Sequence, residues 1–238
     1  MHRFFVLPEN IKENSLTITG DEAKHMKNVL RMDKGHEMIA FDGTGMDYLC
    51  RIKNIGFDIE AHIITKEKNT AEPDIAVTLY QAYPKSAKME EIVQKAIELG
   101  AQRIVPFLSQ RCVKRPEESS RLRRVAMAAV KQCGRSRIPV VDDVLLFADV
   151  LKLMRNHEKL IVCWEEERET SLRAALAGDE QDIGIVIGPE GGFEGAEVAK
   201  MCETGGVSVT LGPRIMRTET AGIAVLAAIF YDKGQMRL

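Results

Sequence analysis

The chain has 238 residues, of which 45% are hydrophobic and 29% charged, and a formal net charge of −2. That balance is that of an ordinary soluble protein, and the length allows one large domain or one plus a small one. No apolar run approaches a membrane span. Met1–Glu9 has no signal-peptide pattern. The five cysteines form no CxxC and the histidines no HExxH, so a cytoplasmic protein with neither a disulfide framework nor a bound metal is expected.

Residues 1–70 read as short strands over Arg3–Val6, Ser15–Thr19, Glu37–Asp42, Met46–Lys53 and Ile59–Lys66, separated by turn signals at Gly35, Asp42-Gly43 and Gly45. One helix interrupts them. Asp21 can cap it, and Ala23, Met26, Val29 and Leu30 recur at helical spacing. Strands around a single helix predict a small β-barrel. Lys24, Lys27 and Arg31 fall on one face of that helix with His25 nearby. Such a face either meets phosphates or is simply solvated. The polar run Lys66–Asp74 marks a domain boundary, so the second domain is expected over 74–238.

Beyond the boundary the rhythm changes to strand, helix, strand: Ile75–Gln81, the amphipathic helix Lys85–Leu99 stopped by Gly100, then Arg103–Leu108. That order predicts a parallel α/β sheet. Between Arg103 and Arg137 stand ten Lys or Arg and only two acids, Glu117 and Glu118. From Asp142 to Asp182 acids outnumber bases, so one basic face for an anionic partner is expected. Its centre is the helix Ser119–Cys133, followed by Arg135 and Arg137, which complement the helix dipole or contact a nucleic acid. A helix over 147–155, a strand over Leu160–Trp164 and a short helix over 171–177 come next. The run Glu165-Glu166-Glu167 sits at that strand's end.

Two stretches near the C-terminus organise the rest. Buried strands Ile183–Ile187 and Val207–Leu211 each run into Gly-Pro, at Gly188-Pro189 and Gly212-Pro213, with Glu or Arg just beyond. Strand ends feeding such loops are where ligands sit in open α/β sheets. Neither loop is GxGxxG or GxxxxGK followed by Ser or Thr, so a dinucleotide or P-loop site lacks its motif. Thr220–Phe230 is apolar on nearly every side and predicts a buried helix.

Gly188-Pro-Glu-Gly-Gly-Phe193 and Leu211-Gly-Pro-Arg-Ile-Met-Arg-Thr-Glu-Thr-Ala221 resemble the SPOUT class of methyltransferases. Within it they resemble the RsmE type, which methylates N3 of a uridine in small-subunit (16S) ribosomal RNA. His25–Arg31, Gln94–Pro106 and Gln132–Pro139 extend the likeness over most of the chain. Met216 stands where Leu is frequent, and Glu194 where Ser is more usual. The resemblance implies an α/β fold in which a small PUA-like β-barrel precedes a SPOUT α/β-knot domain with a mainly parallel sheet. It implies S-adenosyl-L-methionine held in the knot, largely by backbone, at Ile187, Gly188, Pro189, Glu190, Gly191, Leu211, Gly212, Ile215, Met216, Arg217, Thr220 and Ala221. Arg217, with Arg214 second, becomes the candidate for stabilising an anionic uracil, and Glu190 or Glu219 for taking the proton. One of the three consecutive glutamates is implied to lie near the methyl donor. Arg3, Lys24, His25, Lys27, Arg31, Arg135 and Arg137 become candidate RNA contacts, and the implied partners are ribosomal RNA or the 30S particle and a second copy of the chain. Ribose 2′-O-methylation, or RNA binding without catalysis, are the competing expectations.

Overall fold

The computed structural model describes residues 1–85, 88–113 and 119–236. Ser86, Ala87 and the acidic pair Glu117-Glu118, with Lys114 and Arg115 of the predicted basic face, lie outside the described residues. The chain divides into two compact units: Met1–Glu72 with Val130–Ile138, and Pro73–Ala129 with Pro139–Leu238.

In the first unit, β1 (Arg3–Phe5), β2 (Ser15–Ile18), β3 (Glu37–Phe41), β4 (Met46–Ile55) and β5 (Ile59–Lys68) form one sheet in the order β1-β3-β4-β5-β2. Only the β1–β3 pair is parallel. The sheet is a half-barrel, with no ladder joining β1 to β2 among the described residues. Alternation puts Met38, Ala40, Cys50, Ile52, Ile59 and Ala61 on one face, where they enclose Ala23 and Met26 of α1 (Gly20–Asn28). Thr19, not Asp21, is the N-cap residue of α1. Asp21 lies inside the first turn, where its charge suits the dipole. The helix ends at Asn28, so Val29 leaves the apolar face and is 65% exposed.

The second unit carries a parallel sheet in the order β12-β10-β11-β6-β7-β8, with β9 also on β7. Its strands are β6 (Ala76–Ala82), β7 (Arg103–Leu108), β8 (Val140–Val141), β9 (Leu145–Leu146), β10 (Lys159–Cys163), β11 (Asp182–Ile187) and β12 (Gly206–Val209). Among the described residues six α-helices follow α1: α2 (Lys88–Leu99), α3 (Ser119–Cys133), α4 (Phe147–Met154), α5 (Leu172–Ala175), α6 (Gly195–Glu203) and α7 (Thr218–Asp232). The central strands are buried on both faces, as parallel strands must be. Val150 and Met154 of α4 and Val198 and Met201 of α6 join one side of the core. Elsewhere α7 packs on α2 and β11.

α7 is less enclosed than its composition predicts. Ala221, Gly222, Val225, Leu226, Ile229 and Phe230 are buried, while Ile223, Ala224, Ala227 and Ala228 are half-covered and Tyr231 is 77% exposed. The sheet and α2 cover one face of the helix, and its small residues turn the other way.

Where α2 stops, Gly100 takes φ +118°, and a Cβ added there would lie 2.9 Å from Cζ of the buried Phe230. A Gly100→Ala variant should therefore lose about 1–3 kcal/mol from overpacking. Urea unfolding should show a lower midpoint at unchanged slope.

Candidate active site

Three strands end at one place. β10 delivers Cys163 and Trp164, β11 delivers Ile187 and Gly188, and β12 leads into Thr210–Arg217. They surround a cavity of about 840 Å³ on the carboxyl side of the sheet.

The first loop is tied down at each residue. Gly188 O accepts from Thr218 Oγ1 at 2.6 Å, and Thr218 in turn accepts from Gln81 Nε2 at 2.9 Å. Pro189 O accepts from Gly192 N–H at 3.0 Å, and Arg111 Nη1 donates to Gly191 O at 2.6 Å. Phe193 is buried and stacks on Phe107. Glu194 then opens α6 as half of a capping box with Glu197, so the substitution for Ser keeps the cap. Gly192 has φ +69°, and a Cβ there would sit on the Glu165 carboxylate. The backbone of this loop thus approaches the cavity where a side chain would intrude.

Of the residues expected at a cofactor site, Ile187, Gly188, Pro189, Glu190, Leu211, Gly212, Ile215, Met216, Arg217 and Ala221 line the cavity. Gly191, Thr220 and Glu219 are not part of its lining. Gly191 faces Arg111 instead, and Thr220 is exposed on α7. Lys88, Cys163, Trp164, Arg168, Gly192, Thr210, Pro213 and Thr218 line it without having been singled out. Most flank the expected positions by one or two residues. Lys88 comes from a distant helix and carries no local motif.

The glutamate run separates by role. Glu165 lines the cavity. Glu167 builds the loop: its Oε1 accepts from the N–H groups of Arg168, Glu169 and Thr170 at 2.9, 2.8 and 3.2 Å, and its Oε2 accepts from Ser208 Oγ. The Ser208 hydroxyl, then those N–H groups, hold its carboxyl down to about 2.

Glu190 and Glu219 share one cation. Lys88 Nζ lies 3.2 Å from Glu190 Oε1 and 3.0 Å from Glu219 Oε2. Glu190 also accepts from Lys85 N–H at 3.1 Å on each oxygen. Desolvation pushes both carboxyls up, but backbone N–H groups and the Lys88 ammonium outweigh it, and both end below the usual carboxylate range. An Arg217–Glu219 pair is not formed. Arg214 and Arg217 stand at the cavity with no side-chain hydrogen bond or ion pair to any described residue.

The candidate RNA contacts behave differently. Arg135 is buried, and its guanidinium pairs with Glu72 at 3.1 Å. Arg3 is held by Asp47 at 2.6 Å and Ser136 at 2.7 Å. These two cations tie the 130–138 segment into the half-barrel and offer no face to a phosphate. Lys27 Nζ donates to the carbonyls of Gly56 and Phe57 at 2.9 and 2.8 Å, stapling the β4–β5 turn. Arg31 follows the helix with φ +49°, so the single face predicted for Lys24, Lys27 and Arg31 does not exist. Lys24, His25, Arg31 and Arg137 are exposed. Among the described residues no helix is long and apolar enough to cross a membrane, and no group of three or more His, Cys, Asp or Glu could hold a metal.

Two family models match: an RNA methyltransferase domain over residues 71–230 and an RNA methyltransferase PUA domain over residues 18–60. Ribosomal RNA small subunit methyltransferase E of Bacillus subtilis is 34% identical, over 100% of this chain and 99% of its own. The chain belongs to the ribosomal RNA small subunit methyltransferase E family. The Mycobacterium tuberculosis member is 32% identical over 89% of this chain and 84% of its own. The crystal structure of the Neisseria gonorrhoeae member, bound to S-adenosyl methionine, superposes with a TM-score of 0.87 at 31% identity over 97% of both chains. The half-barrel and the parallel sheet are therefore the PUA-like and methyltransferase parts of this family's fold.

Glu167 makes the loop that carries Glu165 and Arg168 acid-sensitive in a defined window. A carboxyl held near 2 against an ordinary 4.5 stabilises its loop fully above pH 4.5, and that contribution is lost as pH falls through about 2. Trp164, the single tryptophan, adjoins that loop. Its fluorescence should change across this window, and Glu167→Gln should flatten the change.

Proposed function

We propose that this chain methylates N3 of a uridine in small-subunit ribosomal RNA, with S-adenosylmethionine as donor and the cavity at the ends of β10, β11 and β12 as its site. The observation that carries the reading is the composition of that cavity: glycine-rich backbone on two sides, the Arg214 and Arg217 guanidiniums, unpaired among the described residues, and the Glu190 carboxylate, with Glu219 just outside the lining. The family's Neisseria gonorrhoeae member, crystallised with the donor, supports the cofactor.

The cavity fits the donor on its own terms. It is large enough for a nucleoside with an amino-acid tail. Its glycines leave backbone groups open, and Glu165 offers an acceptor to hydroxyls or an ammonium. Bound there, S-adenosylmethionine supplies an electrophilic methyl: the N3 lone pair forms the new C–N bond while the C–S bond breaks and its electrons remain on sulfur. The chain must hold the uracil in line, and positioning alone supplies about 7–11 kcal/mol. Arg217 stabilises the charge that deprotonation places on the uracil carbonyls, with Arg214 beside it. Glu190 or Glu219, both ionised, accepts the N3 proton. The uridine must be exposed from its fold before it can enter.

The reading extends to organisation. We place Gly188–Glu190 and Leu211–Arg217 in a trefoil knot. After β12, at the sheet edge, the chain returns to pack α7 on β11 and α2, and that return supports the reading. A homodimer is supported by the half-covered apolar side of α7 and by Ile215, 80% exposed at the cavity loop. Lys24 (paired at the surface with Asp21), His25, Arg31 and Arg137 are the exposed side chains left to meet ribosomal RNA or the 30S particle, in the cytoplasm.

Transfer from labelled donor to small subunits lacking their own modification, followed by nucleoside analysis, tests the reaction. It should yield 3-methyluridine, and Arg217→Ala should lower turnover about 10²–10³-fold while donor binding persists. A 2′-O-methyl nucleoside, or no transfer, would overturn the chemistry.

A further inference from the structure

We infer that Lys88 is a positioning residue for this reaction, its ammonium holding the Glu190 and Glu219 carboxylates together beside the cavity so that one of them can receive the N3 proton. The inference rests on the N3-methylation reading.

Three elements converge here. Lys88 comes from the first turn of α2, Glu190 from the loop after β11, and Glu219 from the first turn of α7. One ammonium lies within 3.2 Å of an oxygen on each carboxylate. A lysine in a first helical turn opposes the helix dipole, so helix stability does not explain its place. The partners do. Two carboxylates gathered at one point repel, and such a pair keeps a proton on one member unless a cation lies between them. The neighbouring charges do not substitute for Lys88. Glu190 has besides it two backbone donors, its own N–H and that of Lys85, which carry no full charge. Glu219 feels the Arg217 guanidinium without an ion pair to it. Arg168, Arg214 and Glu165 belong to other parts of the cavity wall. Without the ammonium, one carboxylate would hold a proton into the range where the enzyme must remove one.

A purely mechanical staple would use the same contacts, so the test reads titration as well as activity. In donor-free protein, the labelled side-chain carboxyl carbons of Glu190 and Glu219 are followed by NMR against pH in the wild type, Lys88→Met and Lys88→Arg. The inference expects Lys88→Met to move one carboxyl titration, and the acid limb of kcat/KM for 3-methyluridine formation, to higher pH. Lys88→Arg should restore both. Unchanged titrations and an unmoved limb in a Lys88→Met protein that has lost only thermal stability would overturn it. If Lys88→Met does not fold, a Lys88→Arg limb displaced as far as that of Lys88→Gln also overturns it. A wild type that titrates as expected but forms a 2′-O-methyl nucleoside sinks the N3 reading, and with it this role, while leaving the ion-pair geometry intact.

Discussion

The hydroxyl of Thr218 donates to Gly188 O and accepts from the buried Gln81 amide, and so joins the start of the first loop, the start of α7 and the end of β6. Buried polar groups need such partners. Because all three elements meet at one hydroxyl, the Gly-Pro loop cannot move without the helix. The cavity is the space left on the other side of that junction. Arg111 and the Phe193–Phe107 stack fix the loop's far end. A site that binds chiefly through backbone needs this kind of support, since backbone can be aimed only by what anchors it.

Electrostatics are arranged on the same frame. Acceptors that build structure, such as Glu167, are saturated by N–H groups and a hydroxyl. Guanidiniums that could act on a substrate, Arg214 and Arg217, make no side-chain hydrogen bond or ion pair to any described residue. The pair Glu190–Glu219 lies between these extremes, charged and balanced by one lysine.

Much of this was legible in the chain. Strand periodicity located every long strand, and the two Gly-Pro stops marked the loops that line the cavity. The resemblance supplied what periodicity never contains: the cofactor, the reaction and the expectation of a knot. What escaped was long-range. Nothing near Lys88 in sequence announces two glutamates more than a hundred residues away. Arg135 and Arg3 look like any exposed cation until Glu72 and Asp47 are folded against them. Lys27 is absorbed by two carbonyls of a turn. The open side of α7 was equally hidden, because a helix rich in alanine reads as buried whichever way it faces.

Donor binding tests the central claim most directly, because it requires only the cavity. Calorimetric titration of the full chain with S-adenosylmethionine should show one saturable site per chain. Ala221→Leu, which adds volume to the cavity wall from within a helix, should abolish the heat while the variant stays folded by circular dichroism, with a melt lowered by the overpacking. No heat in the wild type, or an unchanged isotherm in Ala221→Leu, would contradict the placement of the site between the two loops.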